Sequence, residues 1–454
     1  MNPTTVPSSE PSSPPTPSIA QGRRATRGAS MGFAVDSYDI YLPVVAVGPA
    51  LSYFMPSSSL SPGTVALLNG MVFAATLLGR PLGAVIFGSI ADSLGRRRAT
   101  LIAMYGSGVG TLALALMPGY QLLGIGAMIG LILLRLVTGV FLGGQYTGAV
   151  PLAMESSPKP KRGLYGGLIT MGFPIAFCTV SAVTFSVQAL NSRLSEQGAY
   201  QQWGWRIPVL IGAIVTFAFA YYYQRTVDES PAWRERGARK GPSPLAQLLR
   251  GDSARSLRQV LILMSGAWLC GNATSASYPV ALRALDDITP ESATAVLVIA
   301  EVVLIAAYPL CGALSQRIGR RRFLSLCGIV AATVAPAFYC VLVSNLTTSF
   351  VGRVLLTAGL FLSAICCFGS TASYLSERFR TDLRATGYGV GYSMALIVAS
   401  FYAFYEGLLA EFMPQRYTTA VVYVIGGLLL LVGALRGPET KDVDLTSDTL
   451  ASTR

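Results

Sequence analysis

Twelve apolar runs of about twenty residues or more divide this chain of 454 residues, and they leave it almost no soluble fold to adopt. They lie at about 30 to 55, 62 to 90, 99 to 117, 121 to 150, 163 to 188 and 206 to 225. After a polar, basic interval come about 257 to 282, 289 to 314, 323 to 344, 349 to 376, 384 to 409 and 415 to 436. A helix of about 20 residues spans the roughly 30 Å hydrocarbon core of a bilayer, and in lipid a helix satisfies its own backbone polar groups. The spacing predicts an all-α membrane protein of twelve transmembrane helices in two sets of six. Only 12% of residues are charged, where soluble domains carry about 25%.

Orientation follows from the basic residues. With the N-terminus assigned to the cytoplasm, 27 of the 34 Lys and Arg fall in inner segments, four (Arg193, Arg206, Arg283, Arg416) in outer loops and three (Arg80, Arg135, Arg353) inside spans. Positive residues are retained on the cytoplasmic side, so both termini are expected there. The net charge of +12 is then an orientation signal. Nucleic-acid binding would need basic residues clustered on a soluble face.

The expected organisation is a disordered, Ser/Pro/Thr-rich cytoplasmic tail over 1–28 and a six-helix bundle over 29–226. A basic linker over 227–256 suits the anionic surface of the lipid bilayer, a second six-helix bundle covers 257–437, and a cytoplasmic tail covers 438–454. The seven cysteines show no C-x-x-C pair and no metal-ligand spacing, so packing is expected of them and no metal site.

Internal repetition sharpens the two-bundle reading. G-S-I-A-D-S-L-G-R-R-R runs from Gly88 to Arg98, and G-A-L-S-Q-R-I-G-R-R-R runs from Gly312 to Arg322, 224 residues later. Arg135 recurs as Arg353 after 218 residues. Glu155 stands seven residues before Arg162, and Glu377 seven before Arg384, 222 residues on. Three landmarks at nearly one spacing imply duplicated bundles with a cavity between them.

The G-x-x-x-D-x-x-G-R-R-R pattern resembles the signature of the major facilitator superfamily. R-P-L-G-A-V-I-F-G (Arg80 to Gly88), G-G-Q-Y-T-G-A (Gly143 to Ala149), E-S-S-P-K-P-K-R-G (Glu155 to Gly163), W-G-W-R-I-P (Trp203 to Pro208) and D-E-S-P (Asp228 to Pro231) resemble its metabolite:proton symporter branch. That branch carries proline and betaine, citrate, 2-oxoglutarate and shikimate. The resemblance implies two pseudo-symmetric six-helix bundles and a multi-pass, monomeric protein of the bacterial inner (plasma) membrane. It also implies proton-coupled symport of a small organic acid or zwitterion into the cytoplasm, with no cofactor. The chain departs from the branch twice. Gln145 stands where Glu is frequent, and D-S-Y-D (Asp36 to Asp39) replaces Glu-Trp-Tyr-Asp.

An Asp or Arg at the centre of a spanning helix costs about 2.5 to 3.5 kcal/mol on the insertion scale, which makes intramembrane ions functional candidates. Without histidine, a proton bound near neutral pH needs a carboxylate. Asp36, Asp39 and Glu301 are the proton-coupling candidates. Asp36 and Asp39 lie three residues apart, about 4.5 Å along one helix face. Asp39 is the first expectation and Asp36 the second, with a permanent structural pairing to Arg80 or Arg135 as the competing reading. Arg80 and Arg135 are candidate substrate clamps, since a guanidinium fork matches a carboxylate. Arg353 is expected to be structural. Tyr38, Gln145, Asn272, Tyr388 and Tyr392 add polar and aromatic surface for a small metabolite.

Gly88, Asp92, Gly95, Arg96 and Arg97 in the first signature, and Gln316 and Arg320 in the second, are expected to gate the cytoplasmic side. An enzyme reading finds no support: there is no G-x-x-x-x-G-K-[ST] phosphate loop, no histidine for a triad, and no interval long enough for a catalytic domain. A uniporter or exchanger on the same fold, or a non-transporting receptor, are the alternatives.

Overall fold

The computed structural model describes residues 19–55, 62–193, 198–227 and 244–445, and over them the apolar runs become helices in the expected order. The first six are α1 (Ile19–Leu42), α2 (Pro62–Leu94), α3 (Arg96–Ala115), α4 (Gly126–Glu155), α5 (Arg162–Thr170 continued by Gly172–Arg193) and α6 (Arg206–Thr226). The second six are α7 (Gly251–Asn272, then Tyr278–Arg283), α8 (Pro290–Ile318), α9 (Arg320–Val343), α10 (Phe350–Ile365, then Phe368–Arg378), α11 (Arg384–Ser400, then Tyr402–Leu409) and α12 (Thr418–Leu435). Most of the expected N-terminal tail and linker lie outside the described residues. Within that tail segment, α1 already begins at Ile19.

Among the described residues, ten helices are long and apolar enough to cross a membrane by length and composition. α1 and α3 complete the two sets of six. α1 carries Arg27, Asp36 and Asp39, and α3 is diluted by Gly106, Ser107, Gly108, Gly110 and Thr111.

The duplicated signatures fold alike. Gly95 (φ 102°) breaks the chain between α2 and α3, and Gly319 (φ 104°) does so between α8 and α9. Both lie in the left-handed half of backbone space, where a Cβ is strained and glycine is not. The Arg triplets therefore start a helix at the same end of each bundle, here called the signature end.

Glycine also sets how deeply α2 and α4 interlock. Gly79 and Gly83 face the backbone of α4 at Leu136 to Val140, while Gly139 and Gly143 face the backbone of α2 at Thr76 and Arg80. A side chain at any of the four would collide with main chain. Such G-x-x-x-G faces let helices associate where lipid supplies no hydrophobic drive.

The bundles meet chiefly through α2 on α11 and α5 on α8 and α10. Small residues again allow the approach: Gly163 faces Gly312, Gly167 faces Tyr308, and Gly88 faces Thr386. The first helix of each bundle is bulged, with π-turns at Pro43–Val47 after α1 and Ala273–Ser277 within α7. Such bulges frequently mark functional positions in helices.

Candidate functional site

The two acids of α1 take different arginines. Arg80 of α2 donates through Nη2 to Asp36 Oδ2 at 3.0 Å, with both side chains buried. Arg135 of α4 donates through Nη1 to Asp39 Oδ2 at 3.1 Å and through Nη2 to the Asp39 carbonyl at 2.8 Å. Thr111 donates to Asp39 Oδ1 at 2.6 Å, and Arg135 Nε donates to Thr76 at 3.0 Å. Asp39 and Arg135 are thus closed into a network inside the first bundle.

Asp36 and Arg80 are bonded on one side only. Among the described residues, Asp36 Oδ1, Arg80 Nε and Arg80 Nη1 are buried without hydrogen-bond partners, and so are the hydroxyls of Tyr388 and Tyr392. The guanidinium lies over the Tyr146 ring, 4.7 Å from its centroid, and Tyr146 bonds Ser393 of the opposite bundle. Tyr146 packs 5.1 Å from Tyr392, which stacks on Tyr388 at 5.7 Å. Trp268 closes the group, edge-on to Tyr392 at 5.1 Å with its Nε1 donating to the Tyr392 carbonyl. Arg80, Tyr388 and Tyr392 therefore come together between the bundles.

Other candidates lie apart. Tyr38 turns toward α6 and donates to the Pro208 carbonyl at 3.0 Å. Asn272 ties α7 to α11 through the Ala399 carbonyl at 2.8 Å. Gln145 is buried on α4 and donates to Ser107 of α3 at 2.6 Å, leaving its Oε1 unpartnered. Glu301 is buried on α8 with no ion pair among the described residues, facing Tyr41 of α1 and Cys178 of α5. Arg353 bonds Asp287 at 2.6 Å and Asn345 at 2.7 Å, at the end opposite the signatures.

At the signature end, charge crosses the bundle interface twice. Glu155, the last residue of α4, accepts from Arg96 at 2.8 Å and from Arg384 of α11 at 2.8 Å. Its repeat mate Glu377 accepts from Arg320 at 3.2 Å and from Arg162 of α5 at 3.4 Å. Each glutamate therefore holds one arginine of its own bundle and one of the other. Gln316 also bridges: its Oε1 accepts from the Gly163 amide at 3.1 Å and from Arg320 at 2.5 Å. Arg97 donates to the Gln224 carbonyl within the first bundle. The side chain of Asp92 lies outside the described residues.

In the sequence Glu155, Arg162, Glu377 and Arg384 stand out as repeat landmarks, and Glu155 and Arg162 also as part of the E-S-S-P-K-P-K-R-G motif. The signal for their pairing is present there, because charged residues at one spacing in both halves meet equivalent partners. Tyr146 and Ser393 carried no such signal. Among the described residues, no group of three His, Cys, Asp or Glu is placed to hold a metal.

A family model described as Major Facilitator Superfamily matches residues 30–403, with a second match over 261–446. The shikimate transporter of Escherichia coli (strain K12) is 26% identical over 426 residues, covering 91% of this chain and 93% of its own. The proline/betaine transporter of the same organism is 27% identical over 425 residues, covering 89% and 82%. Among solved structures, the proton:xylose symporter XylE bound to 6-bromo-6-deoxy-D-glucose superposes with a TM-score of 0.73 at 17% identity, covering 94% of this chain and 98% of that one.

Proposed function

The chain belongs to the Major Facilitator Superfamily, and on that premise we propose that it carries a small organic acid or zwitterion into the cytoplasm together with protons. The observation that supports this most is the half-bonded Asp36–Arg80 pair, with the Tyr388 and Tyr392 hydroxyls beside it. A buried polar group without a partner costs about 1 to 3 kcal/mol. Several in one place, between two bundles, are a site that a solute with acceptors and donors completes.

Arg80 is the solute's anchor. Shikimate, proline and betaine, the solutes named for relatives, share a carboxylate, which suits a guanidinium with two unused nitrogens. Asp36 competes with that carboxylate for Arg80, and a proton on Asp36 removes the competition. Proton and solute therefore bind together, which is the requirement for symport. Asp39 is less suited, because Thr111 and Arg135 already fill both its oxygens.

In this reading the signature end faces the cytoplasm, in agreement with the 27 inner basic residues, and both termini lie there, in a bacterial inner membrane. The Glu155–Arg384 and Glu377–Arg162 pairs close that end while the site loads from outside. The protein works as a monomer.

The test is uptake into proteoliposomes of a solute chosen by thermal-shift screening of organic acids, amino acids and betaines. Uphill accumulation should vanish with a protonophore, and Asp36→Asn should abolish it while sparing solute exchange. Uphill accumulation that survives the protonophore would favour an exchanger, and equilibration without any uphill accumulation a uniporter. A full screen without transport would favour a receptor.

A further inference from the structure

A small cavity of about 10 Å³, the space of about one water, opens beside Asp36 among α1, α3 and α4. Most of its wall is apolar: Ala29, Gly32, Phe33, Met104, Ala149 and Val150. Three polar side chains line it: Asp36 and Gln145, 1% and 3% exposed, and Tyr146, whose hydroxyl is bonded to Ser393. Asp36 Oδ1 and Gln145 Oε1 are buried oxygens without a partner among the described residues.

The orientation of the amide is fixed by its neighbours. The Ser107 hydroxyl donates to the Met104 carbonyl at 2.9 Å and accepts from Gln145 Nε2 at 2.6 Å. The amide oxygen is the end left without a partner among the described residues. Two oxygens that both accept, across a space of one water, need a proton donor between them.

We propose that this cavity is the proton's binding site, and that Gln145 is a positioning residue which favours the protonated form of Asp36 and takes no part in holding the solute. This rests on Asp36 as the proton carrier. The negative end of the Gln145 dipole opposes a charge on Asp36 in a low-dielectric pocket and accepts from a protonated Asp36 through one water. Ala29 and Gly32 of α1 and Ala149 and Val150 of α4 wall the cavity on the side of Asp36 nearer the signature end, where Glu155 closes α4. The other titratable or charged groups acting on Asp36 are Arg80 from α2, Tyr146 from α4, Tyr392 from α11 and Asp39 on α1 itself, while α3 presents only the neutral Met104 and Ser107.

The experiment is an infrared pH titration of the full-length protein in lipid vesicles, following the carboxylic-acid C=O stretch. Asp36→Asn assigns the band. Gln145→Leu, which removes the opposing dipole, should move the midpoint of that band down by about one pH unit, a tenfold loss of proton affinity. Gln145→Glu, which adds a second acid to the same cavity, should move it up and add a second titrating band. A merely structural disturbance would push both variants the same way. Shifts of one sign in both, or no shift in either, would overturn the role of Gln145. Loss of no band in Asp36→Asn would instead remove Asp36 as the carrier.

Discussion

Glu155 holds Arg384 across the bundle interface at 2.8 Å while it holds Arg96 of its own bundle at the same distance. One carboxylate shared this way makes bundle closure and local helix packing a single event. Arg384 is buried, so an amide in place of Glu155 takes a countercharge away from it only when the bundles are closed. Glu155→Gln should shift the population toward opening at the signature end by roughly 10- to 100-fold. Spin-label distances between the signature-end tips of α4 and α11 measure this directly, and an unchanged distribution would remove the gate assignment.

Asp39 and Asp36 should separate cleanly by stability. Asp39 is the centre of a satisfied network of Arg135, Thr111 and Thr76, and removing one partner of such a buried pair costs about 3 to 5 kcal/mol. Asp39→Asn should lower the unfolding midpoint in detergent far more than Asp36→Asn, whose carboxylate has a single protein partner. Equal losses would mean that both acids are structural.

The duplication, the six-and-six order and the signature turns were legible in the sequence because they rest on local properties: apolar length, charge position and a glycine that must adopt positive φ. Which arginine meets which aspartate was not. Asp36 and Asp39 share a helix face at the level of spacing, yet one reaches α2 and the other α4, because G-x-x-x-G contacts bring those helices so close that Arg80 and Arg135 approach α1 at different heights. Crossings of this kind depend on tertiary packing, to which no single-helix pattern is sensitive. The same holds for Tyr146, whose cation–π contact and bond to Ser393 exist only after the bundles dock.

At the opposite end, acid should act through Asp287. The Arg353 guanidinium bonded to it holds its carboxyl below the usual aspartate range. A carboxylate depressed in the folded state contributes stability above its unfolded pKa, near 4, and loses it as pH falls through the lower folded value. Asp287 is substantially solvent-exposed, so the effect is small and salt-sensitive. Asp287→Asn should flatten the dependence of thermal midpoint on pH in that acid window and leave the midpoint near pH 7 slightly lower. An unaltered acid limb would show that the Arg353 contact does not couple to unfolding.

The segment after α12 should act as a strap on the gate. Glu439 accepts from the Arg320 and Arg321 amides at 2.8 and 3.2 Å, capping α9 at its N-terminus where anions are favoured. Thr440 donates to Glu377 at 2.7 Å, and Gln316 donates to the Lys441 carbonyl at 3.3 Å. The Val443 carbonyl accepts from Arg162 of the first bundle at 2.9 Å, and Leu445 is buried. The strap thus touches the own-bundle and cross-bundle partners of Glu377 together. Truncation after Gly437 should loosen the signature end in the same direction as Glu155→Gln, but by less, since it removes one charged cap and several neutral bonds and leaves both cross-bundle ion pairs in place. Combined with Glu155→Gln, its effect should exceed the sum of the two, because the strap and Glu155 secure the two halves of one interface. Spin-label distances in the single and double variants give the coupling, and strict additivity would show that the strap caps α9 without restraining the gate.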